Sequence, residues 1–257
     1  MKIGLALSGG GARAIAHLGM MKVLDEQGIK PDRISGASAG ALLGALYANG
    51  FSAEEIFGMV KKTNFFKIIK PALSWSGLLK LEGAYDELYQ YLSHDRFDSL
   101  KIPLVISATN IQKGKVKYFK KGQLIRPILA SCSIPVVFDP VTINGISYMD
   151  GGITDNLPLQ PLKRKCDFII GMHCNPINDN FKGRNWKNLM ERALLISISS
   201  GTYQYKKKFD IFWEAPEVGD YTVFDFKKAD EFFEIGYNYA QAHLEDLKTL
   251  KHPIAQL

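Results

Sequence analysis

No apolar run of 18 or more residues occurs in the chain, so no segment is long enough for a transmembrane helix. Cysteine is scarce. Cys132, Cys166 and Cys174 are all there are, and they form no CxxC pair. An odd, unpaired set excludes a disulfide framework and points to a reducing, cytoplasmic setting. Histidine is scarce too, with five residues and none at metal-ligand spacing, so neither a zinc site nor any other cofactor is expected. There is no internal repeat and no low-complexity tract, which removes solenoids, fibres and coiled coils. Helix-turn-helix and RNA-binding motifs are also missing, so nucleic acid is not an expected partner. The first twenty residues lack a secretory pattern. Their apolar run is broken by Gly9, Gly10 and Gly11 and reads as a buried strand followed by a helix.

What remains is an ordinary globular composition. The 257 residues are 46% hydrophobic and 23% charged, enough to bury a core within one domain spanning 1–257. Lysine and arginine outnumber acids by 32 to 26, a net charge of +6. That balance favours phosphates or an anionic membrane face without choosing between them. Short apolar runs at Lys2–Leu7, Asp32–Ser35, Leu104–Ala108 and Phe168–Met172 read as strands. Helical patterns fill Ala12–Gln27, Ala41–Ala48, Tyr85–Leu92, Leu124–Ala130, Trp186–Ser200 and Glu231–Leu250. Ser52 and Glu55 form a capping box, Lys113-Gly114 turns a hairpin into Lys115–Phe119, and Asn144-Gly145 splits the Ile143–Tyr148 segment. Strands alternating with helices imply an α/β layered fold.

Three places could carry chemistry. Gly36-Ala37-Ser38-Ala39-Gly40 is a G-x-S-x-G turn between a strand and a helix. A nucleophilic serine needs such a strained elbow, and Gly36 and Gly40 let the backbone turn sharply. A plain tight turn with a capping serine is the alternative. Gly9-Gly10-Gly11-Ala12-Arg13 also joins a strand to a helix. Its amides could cradle an anion. It lacks the lysine and Ser/Thr pair of a phosphate loop, and no acid is clearly placed for a dinucleotide. An oxyanion hole fits better, and a turn needed only for packing is its alternative. Asp150-Gly151-Gly152 leaves one carboxylate oxygen accessible, or is simply a turn aspartate bonded to its own backbone. Together the three supply a nucleophile, an anion hole and a base.

Other features are softer. The order Ser38, Asp150, His173 matches a Ser-Asp-His triad, although the elbow follows only the second strand, too early for that fold. His17 reads as a satisfied helix histidine, and His94, His243 and His252 as surface residues. Lys113, Lys115 and Lys117 share one strand face, extended by Lys120 and Lys121 and echoed by Lys206–Lys208. They suit either a membrane surface or a protected edge strand. Phe65 to Leu79 reads as a lid or lipid-contact segment, or as ordinary core.

The motifs in SGGGARAIAHLGMMKVLDEQGI, DRISGASAGALLGALYANG and SCSIPVVFDPVTINGISYMDGGITDNLP, in that order, resemble the patatin-like phospholipases, a family of lipid acyl hydrolases. The resemblance covers residues 3 to 175 and leaves a C-terminal helical region, 186–257, without an interpretable motif. The glycine motif departs from the family pattern at Ala14, where glycine is usual. The resemblance implies a three-layer α/β/α sandwich around a mainly parallel central sheet. It implies a Ser–Asp dyad without histidine, Ser38 as nucleophile and Asp150 as base. It places Gly9, Gly10, Gly11 and Arg13 at the oxyanion hole, and Gly151 and Gly152 in the DGG motif. The implied reaction is calcium-independent hydrolysis of acyl-lipid esters through an acyl-serine, with peripheral membrane contact. An acyltransferase would use the same acyl-serine, and a silent lipid-binding protein would keep the fold without turnover. Because a free aspartate with a pKa near 3.9 is a poor base for serine, Asp150 is expected to be partly desolvated.

Overall fold

The computed structural model describes residues 1–62, 82–179, 181, 183 and 185–251. The Phe65 to Leu79 segment and His252 lie outside them. The strands are β1 (Ile3–Leu7), β2 (Arg33–Ala37), β3 (Leu104–Asn110), β4 (Lys115–Phe119), β5 (Val141–Ile143), β6 (Ile146–Met149), β7 (Phe168–Met172) and β8 (Ile211–Trp213). They form one sheet in the order β5-β6-β3-β2-β1-β7-β8, with β4 also paired to β3. The central pairings, β3-β2-β1-β7-β8, are all parallel. β4, β5 and β6 are antiparallel additions at one end.

The helices are α1 (Ile15–Glu26), α2 (Ala39–Asn49), α3 (Ala53–Lys62), α4 (Glu82–Tyr91), α5 (Ile125–Ser131), α6 (Gly152–Asp155), α7 (Gln160–Lys163), α8 (Trp186–Gln204), α9 (Ala229–Ala242) and α10 (Lys248–Lys251). Both faces of the sheet are covered, which is why its central strands read as continuous apolar runs. Side chains alternate between the faces. Leu5 and Leu7 of β1 join Ile170 and Met172 of β7 in the larger core, with α1 and α2. Ala6 and Ile169 face the other way, against Leu159, Leu162 and Phe209. The result is an α/β/α sandwich. α1 is buried on nearly all sides because α9 lies over it, with Phe57 of α3 stacked on Phe233 of α9.

Several boundaries differ from the sequence reading. β2 runs two residues past Ser35, so Gly36 and Ala37 are strand and Ser38 alone forms the corner. The expected Glu231–Leu250 helix breaks after Ala242, where His243 Nδ1 bonds the Tyr239 carbonyl at 2.7 Å. A 3-10 turn at Leu244–Leu247 then leads into α10. It is tied to the sheet where the Trp213 indole donates to Asp246 Oδ2 at 3.0 Å. β8 was missed, because three residues between charged neighbours carry no periodic signal. The capping box is present, with Ser52 and Glu55 exchanging hydrogen bonds at 2.7 and 3.2 Å. β4 pairs with β3 alone among the described strands. Its exposed lysines therefore sit on an edge, as the protected-edge reading requires.

Candidate active site

The site forms at the C-terminal ends of β1 and β2, where parallel strands hand over to helices. Ser38 sits between β2 and α2 with φ 49° and ψ −127°, a conformation that non-glycine residues rarely adopt. The corner can be this tight only because glycines flank it. A Cβ on Gly40 would lie 2.5 Å from the Leu7 and Ser8 carbonyl oxygens, and one on Gly36 would lie 2.5 Å from the Gly40 oxygen. The Ser38 amide is anchored separately, donating to Ser131 Oγ at 2.7 Å.

The Ser38 hydroxyl donates to Asp150 Oδ2 at 2.7 Å, across 112 positions of sequence. Asp150 Oδ1 accepts the Gly152 amide at 2.7 Å. The Asp150 backbone is fixed at both ends. Its amide donates to the Ser133 carbonyl at 3.0 Å, and its carbonyl accepts from Thr109 Oγ1 at 2.7 Å. The Gly151 amide donates to the Ser131 carbonyl at 3.2 Å. The carboxylate is therefore held by the chain before any ligand arrives. Burial pushes the Asp150 carboxyl up to about 6, against the opposing pull of the Ser38 hydroxyl and the Gly152 amide. Cys132 lies beside the pair. Burial first, and then the Asp150 charge, push its thiol pKa up, so it stays protonated.

The amides of the glycine loop are not equally engaged. The Gly9 amide is already used, donating to Asn156 Oδ1 at 3.1 Å and to the Asn156 carbonyl at 3.3 Å. Arg13 is also committed elsewhere. Its amide donates to the Gly10 carbonyl at 3.2 Å. Its buried guanidinium donates to the carbonyl oxygens of Tyr221 and Gly219. A guanidinium withdrawn from water needs such acceptors, and the 219–225 segment supplies them. Among the described residues, the amides of Gly10 and Gly11 have no acceptor. The first amides of α2, beginning at Ala39, have none within their helix. The amides of Gly10 and Gly11 are thus left without a partner in the glycine loop, beside the start of α2.

These groups line a cavity of about 300 Å³ whose remaining walls are mostly apolar, among them Ile134, Leu194, Leu195 and Ile198, with Asn156 and Glu191 also in the lining. Its rim carries exposed apolar side chains. Val136 and Trp186 are each 64% exposed, Met190 49% and Phe224 47%. Two segments without a sequence motif build this cavity. One is α8. The other is the 219–225 segment, whose Val223 carbonyl accepts the Ala12 amide at 2.8 Å and whose Val223 amide donates to Glu191 Oε1 of α8 at 2.8 Å. Asn156 and Ser131 were also missed as supports. The only sequence signal for them was their place beside the DGG and SCS motifs.

His173 does not join the pair. It is fully buried, lines no part of the cavity, and its Nδ1 lies 2.5 Å from Glu214 Oε1. His17 is also buried, with Nε2 at 3.1 Å from the Ser8 carbonyl, and desolvation lowers its pKa to about 4. It is neutral and structural. His94 is exposed, while His243 is partly covered by Tyr239. Among the described residues, no group of three His, Cys, Asp or Glu side chains is placed to hold a metal ion.

Comparison with known proteins places this geometry in context. The model of the patatin-like phospholipase family matches residues 5–163. The chain is similar to the lysophospholipase nte1 of Neurospora crassa, at 29% identity over 281 aligned positions. That alignment takes in 96% of this chain and 18% of the fungal protein. It is 27% identical to lysophospholipase NTE1 of Saccharomyces cerevisiae, over 95% of this chain and 16% of that protein. The chain thus spans less than a fifth of the length of these relatives. Among solved structures, VipD from Legionella pneumophila superposes with a TM-score of 0.56 at 17% identity, covering 95% of this chain and 66% of that one. The type III effector protein ExoU superposes with a TM-score of 0.50 at 14% identity, covering 96% and 54%. These likenesses share the fold, and the family match takes in β1, the elbow and the DGG segment together. On that match the chain belongs to the patatin-like phospholipase family.

Proposed function

We propose that the chain hydrolyses carboxylic esters of acyl lipids, phospholipids or lysophospholipids, through an acyl-serine on Ser38. The observation that carries this reading is the 2.7 Å hydrogen bond from the Ser38 hydroxyl to a buried Asp150 carboxylate, at the head of an apolar cavity. Asp150 takes the hydroxyl proton as Ser38 Oγ attacks the ester carbonyl. With its proton affinity raised by burial, it is a better base than an exposed aspartate. The carbonyl oxygen becomes negative and meets the Gly10 and Gly11 amides and the N-terminus of α2. Losing one such donor raises the barrier by about 2.7–4 kcal/mol. Asp150 returns the proton to the departing alcohol. Water, deprotonated by the same carboxylate, then attacks the acyl-serine, and that proton passes from Asp150 to Ser38 Oγ as the fatty acid leaves.

The apolar walls suit an acyl chain, and the exposed apolar residues at the rim suit peripheral contact with a lipid surface. The relatives' printed activity, lysophospholipase, agrees with this substrate class. Among the described residues no helix is long and apolar enough to cross a membrane. Residues 186–251 belong to the same folded unit as the motif-bearing part, because α8 walls the cavity and α9 covers α1. The test is fatty-acid release from a lysophospholipid dispersed in detergent. The wild-type chain is expected to release it and Ser38→Ala is not. Equal release by both would overturn the reading.

A further inference from the structure

A second cavity, of about 180 Å³ and more polar, adjoins the first. Ile153, Asn156 and Ile198 line both. Asp155, the last residue of α6, lies in its wall between two tyrosines. Tyr118 of β4 donates its hydroxyl to Asp155 Oδ2 at 2.5 Å. Tyr205, just beyond α8, donates its hydroxyl to Oδ1 at 3.1 Å. Both tyrosines line the cavity. No lysine, arginine or histidine does, and Asp155 has no ion pair among the described residues.

Hydroxyl donors satisfy a carboxylate's lone pairs without cancelling its charge. A carboxylate drawn away from water and left without a cation is costly unless something positive approaches it. Asp155 lies in the wall of this cavity, from which such a group can reach it. Aromatic rings beside a carboxylate attract ammonium groups, quaternary ones included. The location is also specific. α6 begins at Gly152, whose amide holds the proposed base, and ends at Asp155. A lipid with its acyl chain in the apolar cavity and its carbonyl at Ser38 must direct its alcohol portion elsewhere. The polar cavity is the neighbouring space that can take it.

We infer that the Tyr118–Asp155–Tyr205 cavity holds the ammonium head group of a zwitterionic phospholipid or lysophospholipid. This rests on the acyl-hydrolase reading and adds a head-group preference to it. Choline and ethanolamine lipids are then favoured over neutral acylglycerols of the same chain length.

The test compares kcat/KM for lysophosphatidylcholine with kcat/KM for a monoacylglycerol carrying the same chain. Three proteins are compared: wild type, Asp155→Asn, and Gln160→Lys, which puts a competing ammonium on an exposed position lining the same cavity. The wild-type ratio is expected to exceed one, and both variants are expected to lower it about tenfold, which is about 1.4 kcal/mol, mainly through KM. A wild-type ratio at or below one overturns the inference. So does Asp155→Asn lowering both substrates alike, since that is the signature of a structural tie. Titration with choline chloride alone, followed by tyrosine fluorescence, reads the cavity without turnover. Saturation in wild type that is lost in Asp155→Asn supports the subsite even if neither lipid is cleaved, in which case the hydrolase reading alone fails. Turnover without a choline response and without a change of ratio removes the subsite and leaves the hydrolase.

Discussion

Replacing Asp150 with asparagine is expected to make the protein more stable and less active at the same time. Burial raises the Asp150 carboxyl from its ordinary 3.8 to about 6. Below pH 3.8 both the folded and the unfolded chains hold this proton, and ionisation costs the fold nothing. Between 3.8 and about 6 the unfolded chain has released the proton and the folded chain has not, so stability falls as pH rises. Above 6 the folded chain carries a buried charge at full cost. Roughly two units at about 1.36 kcal/mol each give a penalty of about 3 kcal/mol. Asparagine has no charge to bury and can still accept the Gly152 amide. Urea unfolding of Asp150→Asn against wild type is therefore expected to show a gain of up to about 3 kcal/mol at pH 8 that shrinks towards zero by pH 4. Ester hydrolysis is expected to fall about 100- to 10,000-fold with the loss of the general base. Wild-type activity is expected to rise with pH through about 6, as Asp150 gives up its proton. A stability difference that does not vary with pH, or a loss of stability at pH 8, would refute the reasoning.

Ser131→Ala leaves the buried Ser38 amide without its acceptor. It is expected to cost about 1–3 kcal/mol in urea unfolding and to lower kcat by loosening the elbow. His173→Asn is expected to cost about 1–3 kcal/mol through the lost Glu214 contact. Its esterase activity, assayed where the variant is folded, is expected to stay within the same order of magnitude, whereas loss of a triad histidine would remove several orders. Leu194→Trp places a larger ring on the wall of the roughly 300 Å³ cavity. It is expected to depress kcat/KM for long-chain esters more than for short-chain ones, measured across a series of p-nitrophenyl esters.

Most of the sheet, and the turns that carry Ser38 and Asp150, were legible in the sequence because they depend on local signals. A buried parallel strand is an uninterrupted apolar run, and glycines mark the places where strand passes to helix. This is why β1, β2, β3 and β7 read as strands and the glycine turns as their ends, whereas the roles proposed for Ser38 and Asp150 rest on the three motifs taken together and on the family resemblance. The availability of individual amides was not legible. Whether Gly9 or Gly10 faces an oxyanion depends on Asn156, which is 147 positions from Gly9. The direction taken by Arg13 depends on the Tyr221 carbonyl, 208 positions away. The same holds for the acyl cavity. Beside Ile134–Val137 of the SCSIPVVF motif, its walls come from α8 and from Val223 and Phe224, which carry no motif and acquire a role only when the chain closes over the glycine loop. Long-range contacts of this kind leave no periodicity to read.

The central claim is that Ser38 is a nucleophile made reactive by Asp150, and fluorophosphonate labelling followed by peptide mass spectrometry tests it most directly. At pH 8 the account expects a single adduct on the peptide containing Ser38, none on Ser38→Ala, and much slower labelling of Asp150→Asn. A folded wild-type chain that takes up no probe, or that is labelled equally after Ser38→Ala, would contradict it.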